Sequence, residues 1–305
     1  MAFASIYVIW GSTYLAIRIA IETIPPFLMA AVRFLVAGGL LLMWARLRGA
    51  PWPSRRELGN AALVGALLLL VGNGAVVWAE QWVPSGLAAL LVATVPLWIV
   101  LVDWGWGRGR RPGPILVAGL VWGLFGVTLL AGGEGLGAGG VMELMGGAAI
   151  LVGTFSWAAG SILSREAPMP RAPRMAVALE MLSGGLLLLA LSALVGEPAG
   201  FQAGAVSMRS ALALVYLIVF GALVAFSAYI WLLGVAEPAR VSTYAYVNPV
   251  VALLLGWAVA EEPLGLRTLL GSGVILSAVM LISARTAGGR LSPDGGGSSG
   301  GGPVP

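Results

Sequence analysis

Apolar residues run along this chain in blocks of about 20, each closed by Pro, Gly or a charge. The blocks fall near 3–21, 27–45, 59–79, 86–104, 114–132, 146–164, 175–195, 211–232, 241–259 and 267–284. One such block, wound as a helix, crosses the hydrocarbon core of a bilayer. The pattern therefore predicts an all-α integral membrane protein with ten transmembrane helices. The connections are short, which makes consecutive helices antiparallel neighbours. A single low-complexity stretch, rich in Gly, Ser and Pro, follows the last block, and residues 286–305 are predicted to be a disordered tail.

Composition agrees with this reading and removes several chemistries. Hydrophobic residues make up 59% of the 305 and charged ones 10%, against about 25% charged in an ordinary soluble domain. There is no His and no Cys, and all 17 basic residues are Arg. Imidazole or thiolate metal ligands, Cys nucleophiles and a Ser-His-Asp triad are absent for want of the residues. Without Lys there is neither a Walker A lysine nor an amine for a Schiff base. The only aspartates, Asp103 and Asp294, do not form an intramembrane pair. An enzyme, a metal site and a bound cofactor are all disfavoured, and the net charge of +4 is not a nucleic-acid signature.

The arginines set a polarity. Arg46, Arg48, Arg55, Arg56, Arg108, Arg110, Arg111, Arg165, Arg171, Arg174, Arg240, Arg285 and Arg290 all fall on one side of the predicted bundle. That side is read as the cytoplasm, with both termini in it. The expected location is the inner membrane of a bacterium, as a multi-pass protein. With Met1 almost at the start of the first block, no cleavable signal peptide of the usual form is expected.

Laid on itself, the chain repeats. An offset of 147 residues sets Trp10 on Trp157, Arg18 on Arg165, Arg33 on Glu180 and Gly38 on Gly185. Further on, an offset of 153 sets Trp78 on Trp231, Pro96 on Pro249 and Trp104 on Trp257. A six-residue insertion between the seventh and eighth blocks accounts for the change. Each repeat, 1–132 and 146–285, holds an odd number of spans, so the second copy must enter the membrane from the opposite side. Such inverted repeats let two halves exchange conformations around a midplane site. Duplication kept for stability alone is the competing reading.

Trp10-Gly11-Ser12-Thr13 with Arg18, and Asn248-Pro249-Val250-Val251 followed by Glu261 and Gly271, resemble the EamA family of the drug/metabolite transporter superfamily. The similarity covers roughly residues 1 to 285 in two copies. It implies ten spans, a central cavity between the halves, and export of metabolites such as amino acids, or of toxic compounds. One departure is plain: the first half has Arg108 where the second has Glu261.

Candidate residues follow from depth and polarity. Trp10 and Tyr14 share one face of the first span, and Trp157 and Ser161 repeat the spacing. Facing each other, they would wall a pocket for planar or apolar solutes; as an alternative they are belt or packing residues. Asn248 and Tyr244 lie beside Pro249, which frees a carbonyl near Ala245. Asn73 is a second buried amide, and either amide could serve packing alone. These seven are the candidate solute-binding residues. Pro96 and Pro249 are candidate hinges, expected to kink their spans alike. Arg18 and Glu180 are candidate gating or coupling charges, or else snorkel to the interface; Arg33 is the remaining charge within a span.

The function expected is a secondary carrier exporting small metabolites or drugs by alternating access. A channel-like facilitator of the same fold is the alternative. The expected partners are a small-molecule solute, membrane lipid and a proton or other coupling ion, in a monomer or weak homodimer.

Overall fold

The computed structural model describes residues 1–106, 113–131, 140–236, 238–242, 244–260 and 265–288, and among these there is helix and no strand. Seven helices are long and apolar enough to cross a membrane. They are α1 (Ala2–Ala20), α2 (Pro26–Leu47), α3 (Arg55–Ala79), α4 (Ser85–Gly105), α6 (Val141–Glu166), α7 (Pro173–Leu194) and α8 (Met208–Val235). Three more, α5 (Pro114–Ala131), α9 (Tyr244–Ala260) and α10 (Leu266–Gly288), occupy the remaining apolar blocks. Arg108, Glu261 and the tail beyond Gly288 lie outside the described residues. Large apolar side chains such as Leu40, Val152, Leu254 and Trp257 stand exposed on the outer surface, as lipid contact requires.

Exchanging each of α1–α5 with the helix five places later maps the main packing onto itself. Helix α2 packs on α7, α5 on α10 and α4 on α9. Helix α1 lies against α9 and α8, and α6 lies correspondingly against α4 and α3. Small residues permit the closest approaches. Gly38 meets Met181 and Leu182 while Gly185 meets Leu35, so the paired glycines serve the α2–α7 seam reciprocally. At Gly65 the fit is tighter still, since an added Cβ would lie 2.3 Å from the Glu180 carbonyl oxygen.

Two helices change winding at corresponding points. Helix α3 is π-helical over Ala66–Asn73 and α8 over Leu217–Phe226, segments that overlap under the 153-residue offset. A π turn widens the helix and loosens its backbone pairing, and such segments recur at functional sites. Both free a carbonyl for a side chain of the other half. Trp10 Nε1 donates to Gly221 O at 3.3 Å, and Ser156 Oγ to Leu67 O at 2.8 Å.

The two prolines do not act alike. Helix α4 stops in a turn at Ala93–Thr94 and restarts at Val95, whereas α9 runs unbroken through Pro249. The difference has a local cause. Thr94 Oγ1 donates to Leu91 O at 2.8 Å, satisfying a carbonyl at the break, and Val247 at the corresponding position has no hydroxyl. The insertion between α7 and α8 closes a helix end. Its Glu197 accepts from Phe27 N at 3.1 Å and Leu28 N at 2.8 Å, capping the start of α2.

Candidate functional site

Where the halves cross, four aromatic rings form one cluster. Trp10 lies 5.6 Å from Trp157, 5.0 Å from Tyr229 and 4.9 Å from Tyr244, centroid to centroid. Trp157 is 5.5 Å from Tyr229, and the two tyrosines are 5.7 Å apart. Most pairs are tilted or edge-on, the arrangement the ring quadrupoles favour. Hydrogen bonds fix the rings. Tyr229 Oη accepts from Trp157 Nε1 at 3.0 Å and shares a 2.6 Å bond with Ser161 Oγ.

Against this cluster lies a cavity of about 70 Å³, large enough for several waters. Its aromatic wall is Trp10, Tyr14, Trp157, Phe226 and Tyr244; its polar lining is Thr13, Arg33, Asn73 and Thr154. Along α1 the lining runs from Trp10 to Ile17 and along α3 from Leu69 to Val76. The cavity thus extends from the rings toward the C-terminal ends of both helices. Gly72, Gly153 and Gly221 line it too. At Gly72 a Cβ would crowd Trp157, at 3.0 Å from its ring.

Of the residues proposed from sequence, Trp10, Tyr14, Asn73, Trp157 and Tyr244 meet at this cavity. Ser161 stands behind it, holding Tyr229. Asn248 is elsewhere: with its amide oriented to suit its neighbours, it donates to Tyr244 O and Tyr7 O, both at 3.0 Å, tying α9 to α1. Neither acceptor is the Ala245 carbonyl that Pro249 frees, so the amide serves as a tie between the two helices. Arg18 donates to the carbonyls of Glu80 at 2.6 Å and Val83 at 3.3 Å, where it neutralises the negative end of α3 rather than facing the cavity. Glu180 is fully buried between helices and accepts from Ser164 Oγ at 3.4 Å, outside the cavity lining.

Sequence reasoning missed Arg33, Tyr229, Phe226, Thr13 and Thr154. Arg33 carried a usable signal, a charge well inside an apolar block. It is 3% exposed, fully within the cavity wall. Thr13 stood in the Trp10-Gly11-Ser12-Thr13 motif without being singled out; Tyr229, Phe226 and Thr154 carried no signal, because such residues in an apolar span look like any packing residue.

Helices that cross a membrane and enclose a small cavity with a few buried polar groups define a solute transporter of the multi-pass helical class. The chain belongs to the EamA-like transporter family, whose sequence profile matches residues 1–132 and again 144–284. It is 44% identical over 283 residues to the uncharacterized inner membrane transporter YedA of Escherichia coli strain K12, across 92% of this chain and 89% of that one. To the uncharacterized transporter YvbV of Bacillus subtilis it is 27% identical over 285 residues, across 93% and 90%. A solved crystal structure superposes with a TM-score of 0.64 over 94% of this chain and 97% of the other; at 20% identity this is a likeness of fold.

Proposed function

We propose that the protein is a secondary carrier that exports small metabolites, amino acids or related compounds, or drugs, by alternating access. In this reading the chain crosses a bacterial inner membrane ten times as two inverted five-helix repeats, 1–132 and 146–285, with both termini in the cytoplasm. The observation that carries it is the cavity at the crossing of the halves. It is lined by Trp10 from one half and Trp157 from the other, and flanked by π-helical segments at corresponding positions of α3 and α8. Two packings related by exchange of the halves have similar energies, which is what an alternating carrier needs.

Given that topology, the cavity points to the periplasm and the ring cluster closes the cytoplasmic side. Tyr229 and Tyr244 belong to this inner closure. Their counterparts under the repeat, Val76 and Leu91, would close the outer side in the opposite state. The deciding experiment is counterflow in proteoliposomes with a panel of labelled amino acids and dyes. Saturable uptake driven by unlabelled solute inside supports the carrier; linear, unsaturable flux assigns a channel instead.

A further inference from the structure

We propose that Arg33 and Asn73 form the polar end of the solute site, Arg33 taking a carboxylate and Asn73 a hydrogen-bond donor from the same molecule. This rests on the carrier reading above and specifies the solute by its chemistry: an apolar or aromatic body bearing both groups, with no net charge.

Two observations point to it independently. Arg33 lines the cavity at 3% exposure, yet its Nε and Nη1 donors have no hydrogen-bond partner among the described residues. Buried polar groups are almost always paired, so bare donors of a cation facing a cavity mark a place where a ligand completes the set. The flat guanidinium fork suits a carboxylate. Asn73 Oδ1, in the same cavity, is likewise a buried acceptor with no donor among the described residues. An acceptor lining the same cavity as an anion-binding fork suits an N–H of the molecule that supplies the carboxylate.

Space and charge agree. Gly221, on the facing helix, leaves room before the guanidinium: a Cβ there would stand 2.8 Å from Nη2. A solute that carries a cation of its own beside the carboxylate taken by Arg33 brings no new net charge into the low-dielectric interior. Trp10, Trp157, Phe226 and Tyr244 supply the wall for its body.

The test is calorimetric titration of the purified full-length protein with three probes of one body: phenylalanine, 3-phenylpropionate and phenethylamine. Phenylalanine is expected to bind at least about tenfold tighter than phenethylamine, which lacks the carboxylate, and also tighter than 3-phenylpropionate, which lacks the amine. Arg33→Gln should erase the first preference and Asn73→Leu the second, so the inference can be tested if either variant fails to fold. Phenethylamine binding as tightly as phenylalanine, a carboxylate preference that survives Arg33→Gln, or no binding of any probe would each overturn it. The carrier reading is judged apart from this, by counterflow across the wider panel.

Discussion

At paired positions the two halves share contacts but not chemistry. Arg33 faces the cavity, while Glu180, its counterpart, is buried outside the lining. Asn73 offers the cavity an amide where the second half offers the Phe226 ring. Tyr229 and Tyr244, which build the ring cluster, correspond to Val76 and Leu91. Helix α9 is hooked to α1 through Asn248 and the Tyr7 carbonyl; at the corresponding place α4 is hooked to α6 by a 3.2 Å bond between Thr94 and Thr154. Packing therefore fixes the scaffold twice over and leaves each half free to specialise. Arg33 and Asn73 in the cavity lining come from the first half, and three of the four clustered rings, Trp157, Tyr229 and Tyr244, come from the second.

The strongest way to break this symmetry of packing is at the α3–α7 seam. Gly65→Ala puts a methyl group against backbone, and a loss of about 3 kcal/mol is expected, read as a lowered unfolding temperature in detergent. Gly59→Ala, in open space on the same helix, should instead stabilise by about 0.5–1 kcal/mol. Next comes Tyr229→Phe, which removes the hydroxyl that accepts from Trp157 Nε1 and should cost about 2 kcal/mol and slow counterflow. Ser161→Ala, which removes only one bond to the same oxygen, should cost about half of that.

Smaller effects set the two hooks against each other. Asn248→Val and Thr94→Val should each cost about 0.6 kcal/mol, the average for an interhelical bond in a membrane. Similar values from paired unfolding measurements would support their equivalence, and a cost confined to one would deny it. Smallest of all is Glu180→Gln, which should leave the half-saturating solute concentration within roughly twofold of wild type. Unchanged proton dependence in the same assay would remove Glu180 from the coupling mechanism.

Much of the scaffold was legible because it depends on patterns that repeat. Each of the ten apolar blocks coincides with one of the helices α1–α10, and the offset of 147 anticipates the meeting of Trp10 with Trp157. The π-helical segments were not legible, since Ala66–Asn73 and Leu217–Phe226 have the composition of any apolar helix. At the site, Trp10 and Trp157 could be found by their recurrence. Asn248 was ambiguous because a buried amide serves a binding site and an interhelical hydrogen bond equally well, and its bond to Tyr7 O favours the second. Tyr229 and Phe226 owe their places to the π segment ahead of or around them, a property of winding rather than of residue type.

Alternating access requires that one cavity open in turn to the two sides of the ring cluster. The chain has no cysteine, so single thiols can be placed without background: Thr13→Cys in the cavity and Ser161→Cys behind the rings. The most direct measurement is the rate of labelling of each by a membrane-impermeant thiol reagent, added to one face of oriented vesicles while saturating solute is held on one side. Thr13→Cys should be labelled from the periplasmic face and Ser161→Cys from the cytoplasmic face, with the two rates moving in opposite directions as the solute is switched. Rates that rise and fall together, or a cavity thiol labelled from both faces at once, would describe a continuous pore and contradict the carrier reading.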